Sequence, residues 1–135
     1  MSDKQEIEST IKMIADHMEN GFLENIIDMF KHDISYYPFI GTLMSDERMQ
    51  VRIGTFALVE TLIEQDMANV VKAVPGIVPL LKDPNATIRG DAAHLLGVIG
   101  HKDAVPFLMG AADDENSMVR ENVKDALDEI NESGG

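Results

Sequence analysis

No cysteine occurs in this chain, which excludes disulfides, thiolate metal sites and cysteine nucleophiles and suits a cytoplasmic protein. Basic residues are scarce. Eleven Lys and Arg stand against 24 Asp and Glu, for a net charge of −13. Such a field repels phosphate backbones and anionic lipid, so neither nucleic acid nor a membrane surface is an expected partner. Long hydrophobic runs are missing as well. The most apolar stretch, Val70 to Leu81, is broken by Lys72, Pro75 and Pro79, so no segment is expected to span a bilayer. The first residues, Met1 to Thr10, are polar and acidic, unlike a secretory signal. There is no glycine-rich phosphate loop, serine-nucleophile elbow or metal-helix motif. No catalytic residue, metal ligand or cofactor is therefore assigned.

What is present is a repeat. Pro38, Pro75 and Pro106 each precede an arginine by fourteen residues: Arg52, Arg89 and Arg120. An aspartate sits six residues before each arginine: Asp46, Asp83 and Asp114. A fixed spacing recurring along a chain marks stacked structural units. At 135 residues and 44% apolar content, the whole chain, 1–135, reads as one domain with a real core. The acidic charge is concentrated at its two ends. Residues 1–33 carry three basic and eight acidic side chains, and residues 83–135 carry four and eleven. That field would attract a basic partner, although most of these carboxylates read as a solvated surface.

Relative to each arginine, positions −1, +3, +6, +7 and +10 form one apolar stripe. They are Val51, Thr55, Leu58, Val59 and Leu62, then Ile88, Ala92, Leu95, Leu96 and Ile99, then Val119, Val123, Ala126, Leu127 and Ile130. A 3.6-residue period of this kind predicts an amphipathic helix in each unit. A second apolar cluster begins at or just after each proline, which marks a helix start because its missing N–H costs nothing in the first turn. Each unit therefore reads as a short helix, an Asp-containing turn that supplies N-cap oxygens, and a longer helix. The clear units are 36–64, 73–100 and 104–131, with six extra residues around Gln65 to Val74 between the first two. These six form a longer turn or extend the next first helix. Gly97 and Gly100 are expected to end the long helix of the second unit. Residues 3–33 form a degenerate N-terminal capping pair that starts near Ser2 or Asp3, with Asn20-Gly21 between its helices. The tail from Asn131 to Gly135 is expected to fray. The expected fold is all-α: a short α-solenoid (an α-α superhelix) of stacked antiparallel helix pairs.

The stretch Leu80-Leu81-Lys82-Asp83-Pro84-Asn85-Ala86-Thr87-Ile88-Arg89-Gly90-Asp91-Ala92-Ala93-His94-Leu95-Leu96-Gly97-Val98-Ile99-Gly100 closely resembles a HEAT-like repeat of the phycobilisome-lyase type, an armadillo-like architecture. Asp103-Ala104-Val105-Pro106-Phe107-Leu108 continues it, and Tyr37 to Leu62 matches more loosely. The resemblance speaks for fold rather than for one reaction, because such proteins share scaffolding. Deoxyhypusine hydroxylases resemble this architecture and hold two irons through repeated His-Glu dipeptides. Here the four histidines are followed by Met18, Asp33, Leu95 and Lys102, so that chemistry is disfavoured.

Two readings follow for the charged markers. Asp46, Arg52, Asp83, Arg89, Asp114 and Arg120 form either a binding stripe or a structural ladder, in which each arginine bonds the turn aspartate of its own or a neighbouring unit. Recurrence in every unit favours the ladder. Function is expected instead on the exposed face of the second helices, at +1, +2, +5 and +8. The candidate partner-binding residues are Ile53, Ala57, Asp91, His94, Asn122, Asp125 and Asp128. The glycines on that face, Gly54, Gly90 and Gly97, either permit close helix packing or leave room for a docked side chain, and packing is preferred. The favoured function is a non-catalytic protein–protein interaction scaffold. The alternative is an accessory or lyase-like protein that handles a chromophore or metal near His94, with Asp91 and Asp125. A third reading is self-association through the exposed apolar positions.

Overall fold

A computed structural model describes residues 3–132. Their regular elements are all helical, with no strand among them. Ser2 and residues 133–135 lie outside the described residues, and so does most of the expected frayed tail. Within reach of that expectation, Asn131 and Glu132 still belong to the last helix.

The N-terminal pair is α1 (Asp3–Glu19) and α2 (Leu23–His32). The turn between them rests on Gly21, whose φ of 86° is open to glycine and strained for other residues. Ile14, Ala15 and Met18 of α1 and Ile26 and Phe30 of α2 are buried, whereas Ile7 remains exposed. The next unit comprises a 3-10 segment over Ile34–Phe39, α3 (Ile40–Met44) and α4 (Met49–Gln65). Pro38 is thus not the start of an α-helix, as its spacing implied. It sits inside the 3-10 segment, whose i→i+3 bonds run on into α3. Pro75 and Pro106 do occupy the first turns of α6 (Val74–Ile77) and α8 (Val105–Gly110).

The six extra residues extend the next first helix. They fold as α5 (Met67–Val70) and a 3-10 turn over Val71–Ala73, which lead into α6 and a further 3-10 segment over Val78–Lys82. Buried Tyr37 ties this extension down by donating its hydroxyl to Asp66 at 2.6 Å. Burial, followed by that bond, pushes the phenol well above its usual range. The remaining helices are α7 (Ala86–Ile99) and α9 (Ser117–Glu132). Gly100 ends α7 in the left-handed region at φ 75°, but Gly97 lies inside the helix, contrary to the expectation that both would terminate it.

The predicted stripes face the core. Val51, Thr55, Leu58, Val59 and Leu62 are buried, as are Ala92, Leu95, Leu96 and Ile99, and Val119, Val123, Ala126 and Ile130. The buried Thr55 hydroxyl donates to the Val51 carbonyl at 2.7 Å, so it brings no unpaired polar group inside.

The seams between units are not alike. Gly41 of α3 lies directly against the Gly76 carbonyl of α6, which closes the first-helix seam between the first and second clear units. In the next pair of units the close seam is between second helices. A Cβ on Gly97 would meet Ala126 at 2.8 Å, and one on Gly90 would meet Asn122 at 3.0 Å. Close packing is therefore what these two glycines serve.

Candidate interaction site

The recurring aspartates and arginines build the turns. The carboxylates of Asp46, Asp83 and Asp114 accept from the backbone N–H two residues on, at Arg48, Asn85 and Asn116. Asn85 then caps α7 through the Thr87 N–H, and Asn116 caps α9 through the Met118 N–H. The first clear unit departs from this scheme, because Arg48 occupies the N-cap of α4 and offers no side-chain acceptor.

Each arginine spans its own turn. Arg52, Arg89 and Arg120 donate to the main-chain carbonyls of Asp46, Asp83 and Asp114 at 2.7, 2.9 and 2.7 Å. The contact within a unit is thus with the main-chain carbonyl rather than with the carboxylate. One rung crosses units: Arg89 reaches the Asp114 carboxylate with a two-pronged bond at 2.9 and 3.1 Å, and both side chains are about one-tenth exposed. Arg89, and then the Asn116 N–H, hold Asp114 below the usual carboxylate range.

Arg48, which the repeat pattern did not single out, is a second junction. It grips Asp46 at 3.0 and 3.1 Å and also reaches Asp16 at 2.9 Å and Glu19 at 3.3 Å on α1. It pins the N-terminal pair to the next unit. An arginine two residues after the turn aspartate, where the other units have asparagine, was the available signal.

With the turns accounted for, one seam remains open. Position +1 of a second helix faces the following unit, and +2 faces the preceding one. This register follows from Gly90 at +1 of α7 meeting Asn122 at +2 of α9, and from Gly54 at +2 of α4 meeting Met18 of α1. At the α7–α9 seam the Asn122 amide donates to the Gly90 carbonyl at 3.2 Å, and Gly90 is buried. The same register between α4 and α7 pairs Ile53 with Asp91. Ile53 is 62% exposed, so that seam is not closed. Asp91 has no donor with which to copy the Asn122 bond. It is half-buried and makes no hydrogen bond or ion pair among the described residues. Burial raises its carboxyl above the ordinary range, while Arg52 and His94 pull it back through space.

Beside Asp91, the exposed His94 ring meets the Phe56 ring of α4, with centroids 5.4 Å apart and planes at 38°. Phe56 did not figure in the sequence reading. Its signal was an aromatic at +4, where the other units carry Ala93 and Lys124. Ala57 is half-buried on the same helix. The structure thus gathers Asp91 and His94 together with Phe56 and Arg52. It sets Asn122 apart in the α7–α9 seam. Asp125 is exposed on α9, and Asp128 lines a shallow hollow on the outer side of α9 with Arg120 and Lys124. Among the described residues, no three His, Asp or Glu side chains stand together as a metal site, so His94, Asp91 and Asp125 do not form one.

A family model described as HEAT repeats matches residues 74–134. Residues 74–134 therefore carry HEAT-like repeats. The match covers α6 through α9, the part whose turns are capped by Asn85 and Asn116 and whose seam is closed by Gly90 and Gly97. A deoxyhypusine hydroxylase of Aspergillus clavatus is similar, with 32% identity over 82 residues that cover 59% of this chain and 24% of that protein. The chain spans about a quarter of the length of that curated relative. No helix among the described residues is long and apolar enough to cross a membrane.

Proposed function

We propose that this HEAT-like repeat protein is a non-catalytic interaction module. Its partner docks on the open seam between α4 and α7 and on the adjoining exposed face of α9. The observation that carries this reading is the failure of that seam to close: Ile53 is 62% exposed at the position whose counterpart, Gly90, is buried against its neighbour. In one register this seam carries an exposed apolar side chain, Ile53, and a half-buried carboxylate, Asp91, that makes no hydrogen bond among the described residues. The acidic surroundings, with Asp125 exposed on α9, favour a partner with a basic surface.

A catalytic role of the hydroxylase kind has little support in these residues. No histidine here is followed by glutamate, and no metal-binding group of three ligands is assembled among the described residues.

Affinity capture from the source cell tests the proposal. Proteins retained by the native chain should be lost with Ile53→Asp, and weakened by the paired charge reversals Asp125→Lys and Asp128→Lys. They should survive Lys72→Glu on the first-helix side. Equal recovery with all of these variants would mean that the second-helix face is not the interface.

A further inference from the structure

The two seams between the clear units open on opposite sides. Gly41 stands three residues after Pro38, and Gly76 one residue after Pro75. Those two positions let the first helices of their seam meet. In the next seam the same repeat positions hold Val78 and Phe107. Neither side chain nests as a glycine does, and Phe107 is 52% exposed. Both line a hollow of about 670 Å³ between the first helices, together with Val74, Pro75, Pro106 and Lys102. That volume is in the range of sites that accept a ligand-sized group. The walls of the hollow are basic, although the chain is acidic. Residues 67–82 and 101–112 carry Lys72, Lys82 and Lys102 against Asp103 alone. None of these three lysines makes an ion pair among the described residues.

A complementary element stands unpartnered on α1. Ile7, Ile11, Ile14 and Met18 lie four, three and four residues apart, so they share one helical face. Ile14 and Met18 are buried in the core, but Ile11 is half-buried and Ile7 is 46% exposed. Every residue from Asp3 to Ser9 is exposed. The first two turns of α1 therefore project past the helices that cover the rest of the stripe, and Ile7 does not fill the hollow of its own chain. These turns are acidic, with Asp3, Glu6 and Glu8 against Lys4. Glu6 and Glu8 make no ion pair among the described residues. An apolar groove receives an amphipathic helix through anchors spaced three or four residues apart. Opposite charges on helix and groove fix which surfaces pair.

We propose that the projecting end of α1 docks in the α6–α8 hollow of a second copy of this chain, with Ile7 and Ile11 as its anchors. The contact is heterologous, so it joins copies head to tail, or in a ring where the rotation closes. It lies on the first-helix side and is independent of the α4–α7 interface. It accounts for Val78 and Phe107 standing where the preceding seam has glycines, and for an apolar stripe on α1 that runs beyond its own core.

Sedimentation equilibrium of the full chain, from about 10 µM to about 1 mM at low salt, tests this. The mean mass should rise above 14.9 kDa, with a dissociation constant on the order of 100 µM, as befits a small contact. Ile7→Asp and Phe107→Asp should each weaken association about tenfold or more. Glu6→Lys with Glu8→Lys should weaken it about threefold or more at low salt. All four side chains are exposed, and melting curves confirm that the variants fold. The deciding experiment mixes the two apolar variants, because each keeps the half that the other lacks. ¹⁵N-labelled Ile7→Asp protein has its hollow intact. Its amide signals at Val74, Val78 and Lys102 should shift when unlabelled Phe107→Asp protein is added, and should not shift with unlabelled Ile7→Asp protein. A native chain that stays at monomer mass would leave the hollow to another occupant and overturn the proposal. So would association that survives any of the three variants, or a mixture without these shifts.

Discussion

Replacing Gly41 with alanine tests the account of how the units stack. On an exposed helix the change would be favourable, because alanine outranks glycine by up to about 1 kcal/mol. Here the new methyl would land well inside contact distance of the Gly76 carbonyl, with the Ile77 nitrogen 3.2 Å away. These are backbone atoms and cannot rotate aside. A carbon needs roughly 3.3 Å from a carbonyl oxygen, so α3 and α6 must part by about 1 Å or more. Overpacking of this kind costs about 1–3 kcal/mol. The parting also loosens Ile40, Leu43 and Ile77, all fully buried at this seam, and a gap of about 0.5–1 Å forfeits a quarter to a half of each contact. After the gain in helix propensity, a net loss of about 2 kcal/mol is expected. For a domain of this size that lowers the melting temperature by roughly 6–10 °C. Thermal unfolding followed by far-UV circular dichroism reads it directly. Gly110→Ala is the matched control, because nothing lies within 4 Å of its Cβ position and its φ is not positive. It should be neutral or slightly stabilising. If Gly41→Ala melts with the native protein, or no lower than Gly110→Ala, the glycine seam does not hold the units together.

Tyr37→Phe removes the hydroxyl that bonds Asp66 at 2.6 Å and should cost about 1.5–3 kcal/mol in urea unfolding, without changing the helix content. Asp114→Asn breaks the two-pronged bond with Arg89. Because Asp114 is held below its unfolded value, its contribution is present above about pH 4 and is lost as the pH falls through the folded value. The stability gap between native and variant proteins should thus be full at neutral pH and shrink in acid. Asp91→Asn should behave oppositely. The folded carboxyl is raised by burial, so its charged form is penalised at neutral pH and the penalty fades as the pH drops. The variant should melt at or above the native temperature near neutrality, and that advantage should vanish in acid. A variant that melts well below the native protein would show Asp91 to be a stabilising residue.

Parts of the site were legible along the chain, and parts were not. Asp91 and His94 share a helical face because residues three apart do so, and that is local geometry. Their neighbour Phe56 lies 38 residues from His94 in sequence and reaches it only across a seam between units. The arginine ladder was legible as a spacing, but not in its atoms. Whether a guanidinium meets a carboxylate or a carbonyl depends on how neighbouring units are placed, and Arg89 meets both. Asn122 looked like an exposed polar residue until its amide was seen on the Gly90 carbonyl.

By itself the sequence determined the helices, their apolar faces, the capped turns of the last two clear units and the existence of stacked units. Each of these depends on residues within one or two turns of one another, through the 3.6-residue period and the short reach of Asp and Asn side chains. Only the tertiary structure decided which seams close. Gly41 closes one on the first-helix side and Gly90 with Gly97 close another on the second-helix side, so the stack is not a simple repetition. The seam left open between α4 and α7 depends on the relative placement of whole helices, a sum over many contacts between distant residues. No periodicity within the chain records that sum.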